Sequence, residues 1–280
     1  MLSFTKMHGT GNDFVLLDAR DLPAHDWSAL AQAMCDRHYG VGADGLILIL
    51  PGERAPFRMR IFNPDGSEAE MCGNGIRCFA RYLVEHGLAG AGSLNVETLA
   101  GTKRLDIEAE GRMFRSVAVG MGEPRLRPAE IPVLLSGERV IEHPVTVDGL
   151  SLRITAVSMG NPHAVSFVDD AAQFPLERIG PLMEHHPLFP ARVNFEVATI
   201  RSPREVAMRV WERGAGLTLA CGTGACATVV AGRLLGRLEP EVAVHLPGGT
   251  LTIRWDGAGE VLLRGPAETV FEGTWLRYSL

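Results

Sequence analysis

The chain has 280 residues, a formal net charge of −6 at pH 7, 46% hydrophobic residues and 21% charged residues. This composition is typical of a folded globular protein, and the length allows two domains with a core each. There is no basic stripe with interleaved aromatic residues, which argues against nucleic acid as a partner. No segment approaches the roughly 18 uninterrupted apolar residues of a membrane span, and the N-terminal pattern is not that of a secretion signal. We therefore expect a cytoplasmic protein without a membrane segment.

Alternating apolar residues and turn signals predict a mixture of strands and helices. In the first part of the chain, strands are predicted at Phe14–Asp18, Leu46–Leu50, Arg58–Phe62, Ser93–Glu97 and Lys103–Glu108. Later strands are predicted at His143–Val147, Leu152–Ser158, Ala164–Val168, Glu205–Trp211, Glu241–His245, Thr250–Trp255 and Thr274–Ser279. Helices are predicted at Trp27–Arg37, Ile76–Glu85, Pro181–His185 and Ala225–Leu234. The mixture predicts an α+β fold.

An internal repeat indicates that the chain is duplicated. The segment "MRIFNPDGSEAEMCGNG" (59–75) aligns without gaps with "MRVWERGAGLTLACGTG" (208–224), at an offset of 221 − 72 = 149 residues. Gly11-Asn12 falls on Gly160-Asn161 at the same offset, and Gly101-Thr102 falls on Gly249-Thr250 one residue tighter. We expect two homologous halves related by a pseudo-twofold axis, each a mixed sheet with one central helix.

The predicted halves are residues 1–120 and 121–266. The Gly- and Pro-rich segment 120–132 is the candidate linker, and residues 267–280 are expected to complete the first half. The active site is expected in the cleft between the halves.

Each copy of the repeat places a cysteine, Cys72 or Cys221, directly before a Gly-x-Gly turn that opens a predicted helix. The partial positive charge of a helix N-terminus favours a thiolate, so we expect a lowered thiol pKa and a base or nucleophile at both positions. The alternative is that both are small residues suited to a tight turn. The other cysteines, Cys35, Cys78 and Cys226, lie on the apolar faces of predicted helices and are expected in the core.

Cofactor chemistry finds little support in the sequence. The segment "GTGACA" (222–227) fits a dinucleotide-binding fingerprint, but the strand–turn–helix–strand unit with an acidic residue near position 20 is not evident. The cysteine spacings C-x5-C and C-x4-C differ from the paired C-x2-C units of zinc sites. A Schiff-base lysine for pyridoxal phosphate would have to be Lys6 or Lys103, and neither is near a candidate phosphate loop. We expect neither a cofactor nor a metal.

Two thiols that approach one substrate from opposite sides suit one chemistry, which is inversion at a carbon with an acidic hydrogen. One thiolate removes the proton from one face while the other thiol protonates the opposite face. The backbone N–H groups of Gly73-Asn74-Gly75 and Gly222-Thr223-Gly224 would receive the negative charge of the substrate. The expected substrate is therefore a small molecule of the amino acid type, with a carboxylate next to that carbon.

The chain resembles the diaminopimelate epimerases in six long motifs that follow one another in order. They are "MHGTGNDFVLLD" (7–18), "RHYGVGADGLIL" (37–48), "FNPDGSEAEMCGNGIRCFARYL" (62–83), "MGNPHAV" (159–165), "VNFE" (193–196) and "WERGAGLTLACGTGACA" (211–227). The resemblance implies a sheet or barrel around the central helix of each half, and cofactor-independent interconversion of LL- and meso-2,6-diaminoheptanedioate. It also implies a role in lysine and cell-wall precursor synthesis, and a cytoplasmic homodimer.

The resemblance also implies roles for particular residues. Cys72 and Cys221 match the acid–base pair, with Cys221 the proton acceptor in the LL-to-meso direction. His163 and Glu212 match residues that support the cysteines, and Glu212 is expected to contact substrate as well. The remaining matches to substrate contacts are Asn12, Asn63, Asn161, Asn194 and Arg213.

Three positions depart from the pattern of the family. Gly45 stands where some members carry Gln, and Leu217 and Leu219 stand where many carry Glu and Gln. These differences put local substrate contacts in doubt. The nearest alternative is a two-cysteine racemase or epimerase of another amino acid. Isomerases of the phenazine-biosynthesis type, or a non-catalytic binding protein of the same fold, lack the paired cysteines.

Overall fold

A computed structural model describes residues 1–276 of the chain, which forms two compact units. Unit 1 consists of residues 1–119 together with the described residues from 264 onward, and unit 2 consists of residues 120–263. Of the strand predicted at Thr274–Ser279, residues 277–279 lie outside the described part of the chain.

Eighteen strands and four α-helices are assigned within residues 1–276. The helices are α1 (Trp27–Cys35), α2 (Gly73–Glu85), α3 (Leu176–Glu184) and α4 (Gly222–Leu234). The first strands are β1 (Leu2–Gly9), β2 (Asn12–Asp18), β3 (Gly45–Pro51), β4 (Phe57–Phe62), β5 (Glu68–Ala69), β6 (Gly92–Thr98), β7 (Gly101–Glu110) and β8 (Met113–Gly120). The later strands are β9 (His143–Val147), β10 (Leu150–Ser158), β11 (Pro162–Phe167), β12 (Asn194–Ser202), β13 (Glu205–Glu212), β14 (Gly216–Thr218), β15 (Glu241–Leu246), β16 (Gly249–Arg254), β17 (Leu262–Gly265) and β18 (Glu268–Trp275).

Both units have the same topology. In unit 1, β1 and β2 form an antiparallel pair, β2 and β3 are parallel and joined through α1, and β3 pairs antiparallel with β4. The chain then passes through α2 to β6, which is parallel to β4 and antiparallel to β7. Unit 2 repeats this order with β10, β11, α3, β12, β13, α4, β15 and β16.

The strand register is also the same in both units. Phe14 of β2 pairs with Gly45 of β3, and the pair 149 residues later, His163 of β11 and Asn194 of β12, is matched in the same way. A shift of one residue would turn every side chain of a strand to the other face, so an equal register is a strict test of the repeat. The repeat predicted from the sequence is confirmed.

Each unit buries one helix among its strands. Helix α2 contacts β1, β2, β3 and β4, and its residues Ile76, Phe79 and Leu83 are fully buried. Helix α4 contacts β10, β11, β12 and β16, and small residues such as Ala225 and Ala227 let the strands approach it closely. The α+β class with one central helix in each half is therefore correct.

Most predicted elements are present, and the differences have local causes. Helices α2 and α4 begin three residues before the predicted Ile76 and Ala225, because the glycines of their first turns adopt helical geometry. Helix α3 begins at Leu176 rather than Pro181, which lies inside the helix. The sequence did not predict β1, β5, β8, β12, β14 and β17. No helix in residues 1–276 is long and apolar enough to span a membrane.

One helix–strand contact leaves no room for a side chain. A Cβ atom added to Gly180 of α3 would lie 2.6 Å from ring atoms of Trp211 on β13. We expect Gly180→Ala to lower the free energy of unfolding by about 1–3 kcal/mol, because overpacking outweighs the gain in helix propensity. The matched control is Gly90→Ala, since no atom lies within 4 Å of its added Cβ. Urea unfolding of both variants checks this, and equal stability of the two would contradict it.

Candidate active site

Cys72 and Cys221 are the N-cap residues of α2 and α4. Each has extended backbone angles, and each sulfur accepts a hydrogen bond from the backbone N–H three residues on. The distance is 3.4 Å from Gly75 N to Cys72 Sγ and 3.4 Å from Gly224 N to Cys221 Sγ. A thiol thus takes the place of the oxygen that usually caps a helix. The structure places both cysteines at helix starts, as predicted.

The glycines after the two cysteines allow the sheet to approach the helix start. A Cβ atom at Gly75 would lie 3.0 Å from Ile47 Cδ1. At Gly224 it would lie 2.8 Å from Glu196 Oε1 and 3.3 Å from the sulfur of Cys221. The second glycine of each Cys-Gly-x-Gly segment therefore has a packing reason, and in unit 2 the close neighbour is a carboxyl group.

In unit 1, an amide contacts the thiol. Asn12 Oδ1 accepts hydrogen bonds from Cys72 Sγ at 3.6 Å and from Asn74 Nδ2 at 3.2 Å. The other end of the Asn12 amide donates to Asp44 Oδ2 at 2.7 Å. The orientation of the Asn12 amide is therefore fixed from both ends. The structure thus brings together three predicted site residues, Asn12, Cys72 and Asn74.

Ion pairs hold Asp44 and its neighbour Asp13 in place. Arg37 bonds to Asp13 Oδ1 and to Asp44 Oδ1, both at 2.7 Å, and Lys6 Nζ lies 2.5 Å from Asp13 Oδ2. Burial acts to raise the pKa of Asp13, but the hydrogen bonds from Arg37 and Lys6 outweigh it and hold that pKa well below its usual range. The motif "RHYGVGADG" thus supplies the support for Asn12, a role that the sequence analysis did not assign.

In unit 2, a chain of hydrogen bonds leads from the thiol into the core. Cys221 Sγ lies 3.5 Å from Thr223 Oγ1, which accepts from Asn161 Nδ2 at 3.3 Å. Asn161 Oδ1 lies 3.0 Å from His163 Nε2, and His163 Nδ1 lies 2.6 Å from Glu196 Oε1. The side chains of His163 and Glu196 are 0% exposed. Three predicted residues, Thr223, Asn161 and His163, therefore form one network with Cys221.

The environment of Cys221 corrects one expectation. Burial raises the pKa of the Cys221 thiol well above its ordinary value, and the negative charge of the nearby Glu212 raises it further. Hydrogen bonds from Thr223 and Gly224 act in the opposite direction but are smaller. The prediction of a lowered thiol pKa is therefore wrong for Cys221 in the free protein, because burial and like charge outweigh the hydrogen bonds that the thiol receives at the helix start.

The remaining site residues of unit 2 lie where β12 and β13 pair. Asn194 Oδ1 accepts from the backbone N–H of Arg213 at 2.9 Å, and its Nδ2 donates to Pro162 O at 2.8 Å. Glu212 Oε1 accepts from Thr218 Oγ1 at 2.5 Å. Glu212 is half-buried and close enough to Cys221 to affect its pKa, whereas the Arg213 side chain is exposed.

Asn63 occupies the position of unit 1 that corresponds to Glu212, since 212 − 63 = 149. It lies directly after β4, and its Nδ2 donates to Ser67 Oγ at 2.9 Å within the turn. Its observed contact is thus local, as for an ordinary turn asparagine.

The three departures from the family pattern have different surroundings. Gly45 is buried, and an added Cβ would lie 3.0 Å from Phe62 O and 3.3 Å from a ring atom of Phe14. A longer side chain at this position needs a different packing of those neighbours. Leu217 and Leu219 are 46% and 56% exposed. Both leucine side chains therefore lie largely outside the core.

The cysteines assigned to the core behave as expected. Cys35, Cys78 and Cys226 are all buried. Burial raises the pKa of Cys35 and of Cys78 to about 12, so both stay protonated and unreactive near neutral pH. Within residues 1–276, no three His, Cys, Asp or Glu side chains are grouped to hold a metal ion.

The sequence analysis missed Glu196. The signal was present, because "VNFEVATI" has one carboxylate in an otherwise apolar run, and an acidic residue in such a run needs a partner if the strand is buried. The residue at the corresponding position of unit 1 is the apolar Ile47 (196 − 47 = 149), so comparison of the two copies does not point to an acidic residue there.

Comparison with known proteins identifies the family. The family model described as diaminopimelate epimerase matches residues 4–127 and 155–270. The chain belongs to this family. It is 52% identical to the diaminopimelate epimerase of Desulfitobacterium hafniense, with 100% of both chains covered. It is 54% identical to that of Carboxydothermus hydrogenoformans, over 98% of this chain and 99% of the relative.

Solved structures with low sequence identity share the fold. A phenazine biosynthesis protein from Bacillus anthracis has a TM-score of 0.70 at 20% identity, with 99% of each chain covered. A hydroxyproline epimerase from Agrobacterium vitis has a TM-score of 0.69 at 16% identity, with 97% of this chain and 90% of that chain covered. At these identities the likeness establishes the fold alone.

The charges around Cys221 give a prediction for its reactivity. Glu212→Gln removes a negative charge that opposes ionisation, so the pKa of Cys221 falls and more thiolate is present at any pH below it. We expect iodoacetamide to alkylate Cys221 slowly at neutral pH and faster as pH rises, with the profile of Glu212→Gln displaced to lower pH. Peptide mass spectrometry measures the rate, and the buried Cys78 is the internal control. A profile displaced to higher pH would contradict the assignment of like-charge repulsion.

Proposed function

We propose that the chain interconverts LL- and meso-2,6-diaminoheptanedioate without a cofactor, with Cys72 and Cys221 as the acid–base pair. Membership of the diaminopimelate epimerase family supports the reaction, as do curated relatives of that name at 52% and 54% identity over nearly all of both chains. The observation that carries the proposal is the occurrence of a thiol as N-cap of the central helix in both copies of one repeat.

The chemistry requires two protonation states of one type of group. A thiolate removes the α-proton of the substrate, and a thiol protonates the opposite face of the resulting planar carbanion. The negative charge moves onto the adjacent carboxylate. Helix N-termini attract such anions, so the first-turn N–H groups of Gly73 and Asn74, and of Gly222 and Thr223, would hold the carboxylate as its charge grows.

We propose that an asparagine side chain orients each thiol. Asn12 contacts Cys72 directly, and Asn161 contacts Cys221 through Thr223. His163 lies behind Asn161, which suits a supporting role rather than direct contact with the reacting carbon. Glu212 lies close enough to Cys221 to affect its pKa, and we propose that it controls whether this thiol is protonated.

The non-reacting end of the substrate carries a second amino acid group. Asn63, Asn194 and Arg213 are proposed to bind it, because amide and guanidinium groups match a carboxylate and an ammonium group. Arg213 is exposed in the free protein, and its Nη1 donates to Ala191 O at 3.1 Å. Exchange of this single bond to a backbone carbonyl for a substrate carboxylate would give Arg213 a charge-assisted partner.

The raised pKa of Cys221 fits this scheme if substrate binding supplies positive charge. The free protein holds Cys221 as a thiol because burial and the negative charge of Glu212 oppose its ionisation. The α-ammonium group of a bound substrate would offset the negative charge of Glu212. Once formed, such a thiolate is a strong base, as removal of a weakly acidic α-proton demands.

We further propose a cytoplasmic homodimer that acts in lysine and peptidoglycan precursor synthesis, on the strength of the family resemblance. Light scattering of the purified protein tests the dimer.

The reaction itself is tested by proton NMR in D2O. We expect LL-diaminopimelate to lose its α-proton signal and meso-diaminopimelate to accumulate in the presence of the protein alone. Proline and hydroxyproline, incubated in parallel, test the alternative of a two-cysteine racemase with another substrate. Loss of signal from one of these, with LL-diaminopimelate unchanged, would replace the proposed substrate.

Single cysteine variants test the assignment of one thiol to each face. Cys72→Ala retains Cys221, so we expect slow deuterium incorporation into LL substrate with almost no inversion. Cys221→Ala is expected to incorporate deuterium only at the D-centre of the meso isomer. Because each variant lacks one of the two proton carriers, inversion by either at more than a few per cent of the wild-type rate would contradict the two-base mechanism.

A further inference from the structure

The Glu196 carboxyl group has an unusual environment for a charged group. It is 0% exposed, and its Oε2 has no hydrogen-bond partner within the described structure. An ionised carboxylate with one oxygen buried and unsatisfied is costly, whereas a neutral acid can leave its carbonyl oxygen without a partner at a smaller cost. Burial also raises the pKa of this carboxyl above its ordinary value. The environment therefore favours the neutral acid.

The hydrogen bonds of Asn161 indicate that Nε2 of His163, the ring nitrogen that faces Asn161, carries a hydrogen. Asn161 Nδ2 donates to Thr223 Oγ1, so its Oδ1 faces His163 Nε2 at 3.0 Å. An amide oxygen only accepts, which places a hydrogen on Nε2. Because Glu196 is the neutral acid in this environment, its acid hydrogen lies between Oε1 and Nδ1, which are 2.6 Å apart, and Nδ1 is the acceptor. With the Asn161 amide in this orientation and Glu196 neutral, both ring nitrogens of His163 have a hydrogen-bond partner.

We propose that Glu196 is a positioning residue for Cys221. As a neutral acid it donates to His163 Nδ1 and so keeps the ring proton on Nε2. The Nε2–H group holds the Asn161 amide in one orientation, and Asn161 in turn holds the Thr223 hydroxyl beside the sulfur of Cys221. Glu196 acts on the reacting thiol through these three residues.

The corresponding positions in unit 1 are apolar. Phe14 and Ile47 stand where unit 2 has His163 and Glu196, at the same offset of 149 residues. Cys72 instead contacts Asn12 directly. Glu196 is therefore expected to affect proton transfer by Cys221 and not proton transfer by Cys72. This expectation for proton transfer rests on the proposed function, whereas the position of the ring proton does not.

Two variants of Glu196 separate positioning from charge. Glu196→Gln keeps a donor, since its amide N–H group can donate to Nδ1 and preserve the same tautomer. Glu196→Ile introduces the residue of the equivalent position in unit 1 and removes the donor. The control is Thr228→Val on the same helix as Cys221. Thr228 is buried and bonds to Met208 Sδ at 3.5 Å, outside the network.

The first measurement is the ¹⁵N NMR spectrum of His163 in the protein without substrate. We expect a protonated Nε2 and an unprotonated Nδ1 in wild type, Glu196→Gln and Thr228→Val, and a mixture of tautomers in Glu196→Ile. An unprotonated Nε2 in wild type would overturn the proposal. A wild-type ring proton on Nε2 that Glu196→Ile leaves unchanged would overturn it too. If Glu196→Ile does not fold, loss of the tautomer in Glu196→Gln overturns it.

The second measurement is deuterium incorporation in the two single-cysteine backgrounds. With Cys72→Ala, we expect Glu196→Ile to slow exchange of LL substrate about tenfold or more, the scale of a buried polar group left without its partner. Glu196→Gln is expected to keep most of that exchange. With Cys221→Ala, exchange of the meso isomer is expected to change by less than about twofold. Equal loss in both backgrounds would show general damage and overturn the proposal. Absence of exchange in every protein, with the NMR result as expected, would contradict the proposed function instead.

Discussion

The N-terminus of a buried helix is the constraint on which the rest of this structure depends. The first N–H groups of α2 and α4 have no partner within their own helices, and the residue before each helix is half-buried at Cys72 and buried at Cys221. A capping side chain must therefore satisfy one of them. In each unit a cysteine does so, which leaves a thiol fixed at the point where the helix favours negative charge. The same geometry that satisfies the helix thus places a thiol where the proposed proton transfer requires one.

Glycine makes this arrangement possible. The chain turns from an extended cysteine into the helix within one residue, and the strands beside it approach to within van der Waals contact. A side chain at Gly224 would displace the carboxyl group of Glu196, and through it the network that ends at Cys221. The Cys-Gly-x-Gly segment is therefore at once a helix start, a packing contact and a candidate anion site, which explains why so short a segment was informative.

Much of the fold was predictable because the sequence repeats itself. Strands such as β3 and β4, with runs of Ile, Leu and Phe, follow the expected pattern, and the offset of 149 residues carries over to the register of the strands. β1 and β12 were missed for a physical reason. β1 buries Thr5 and Lys6, and β12 begins with Asn194 and includes Glu196, so polar groups that are paired in the folded protein interrupt the apolar pattern. Periodicity detects the burial of apolar residues, not of satisfied polar residues.

The candidate site shows the same limit. Cys72 and Cys221 were predictable because both copies of the repeat share them, whereas Glu196 differs between copies and escaped notice. The direction of the pKa shift of Cys221 was predicted wrongly. The sequence indicates the helix start, but it shows neither the depth of burial nor the nearby carboxylate of Glu212. The rule that a helix N-terminus favours a thiolate gave the correct position of Cys221 and the wrong direction of its pKa shift. The three-dimensional structure is needed to compare the effects that lower the thiol pKa at a helix start with the effect of burial, which raises it.

The two units have kept the same cap and changed what lies behind it. At three equivalent pairs, unit 1 has Phe14, Gly45 and Ile47 where unit 2 has His163, Asn194 and Glu196. Polar residues in a core cost stability unless each is paired, and here the histidine and the glutamate pair with each other. A duplicated chain that needed only a second helix cap would have kept the apolar residues. The buried polar network behind one thiol is therefore better explained by the proposed role of that thiol than by a requirement of the fold.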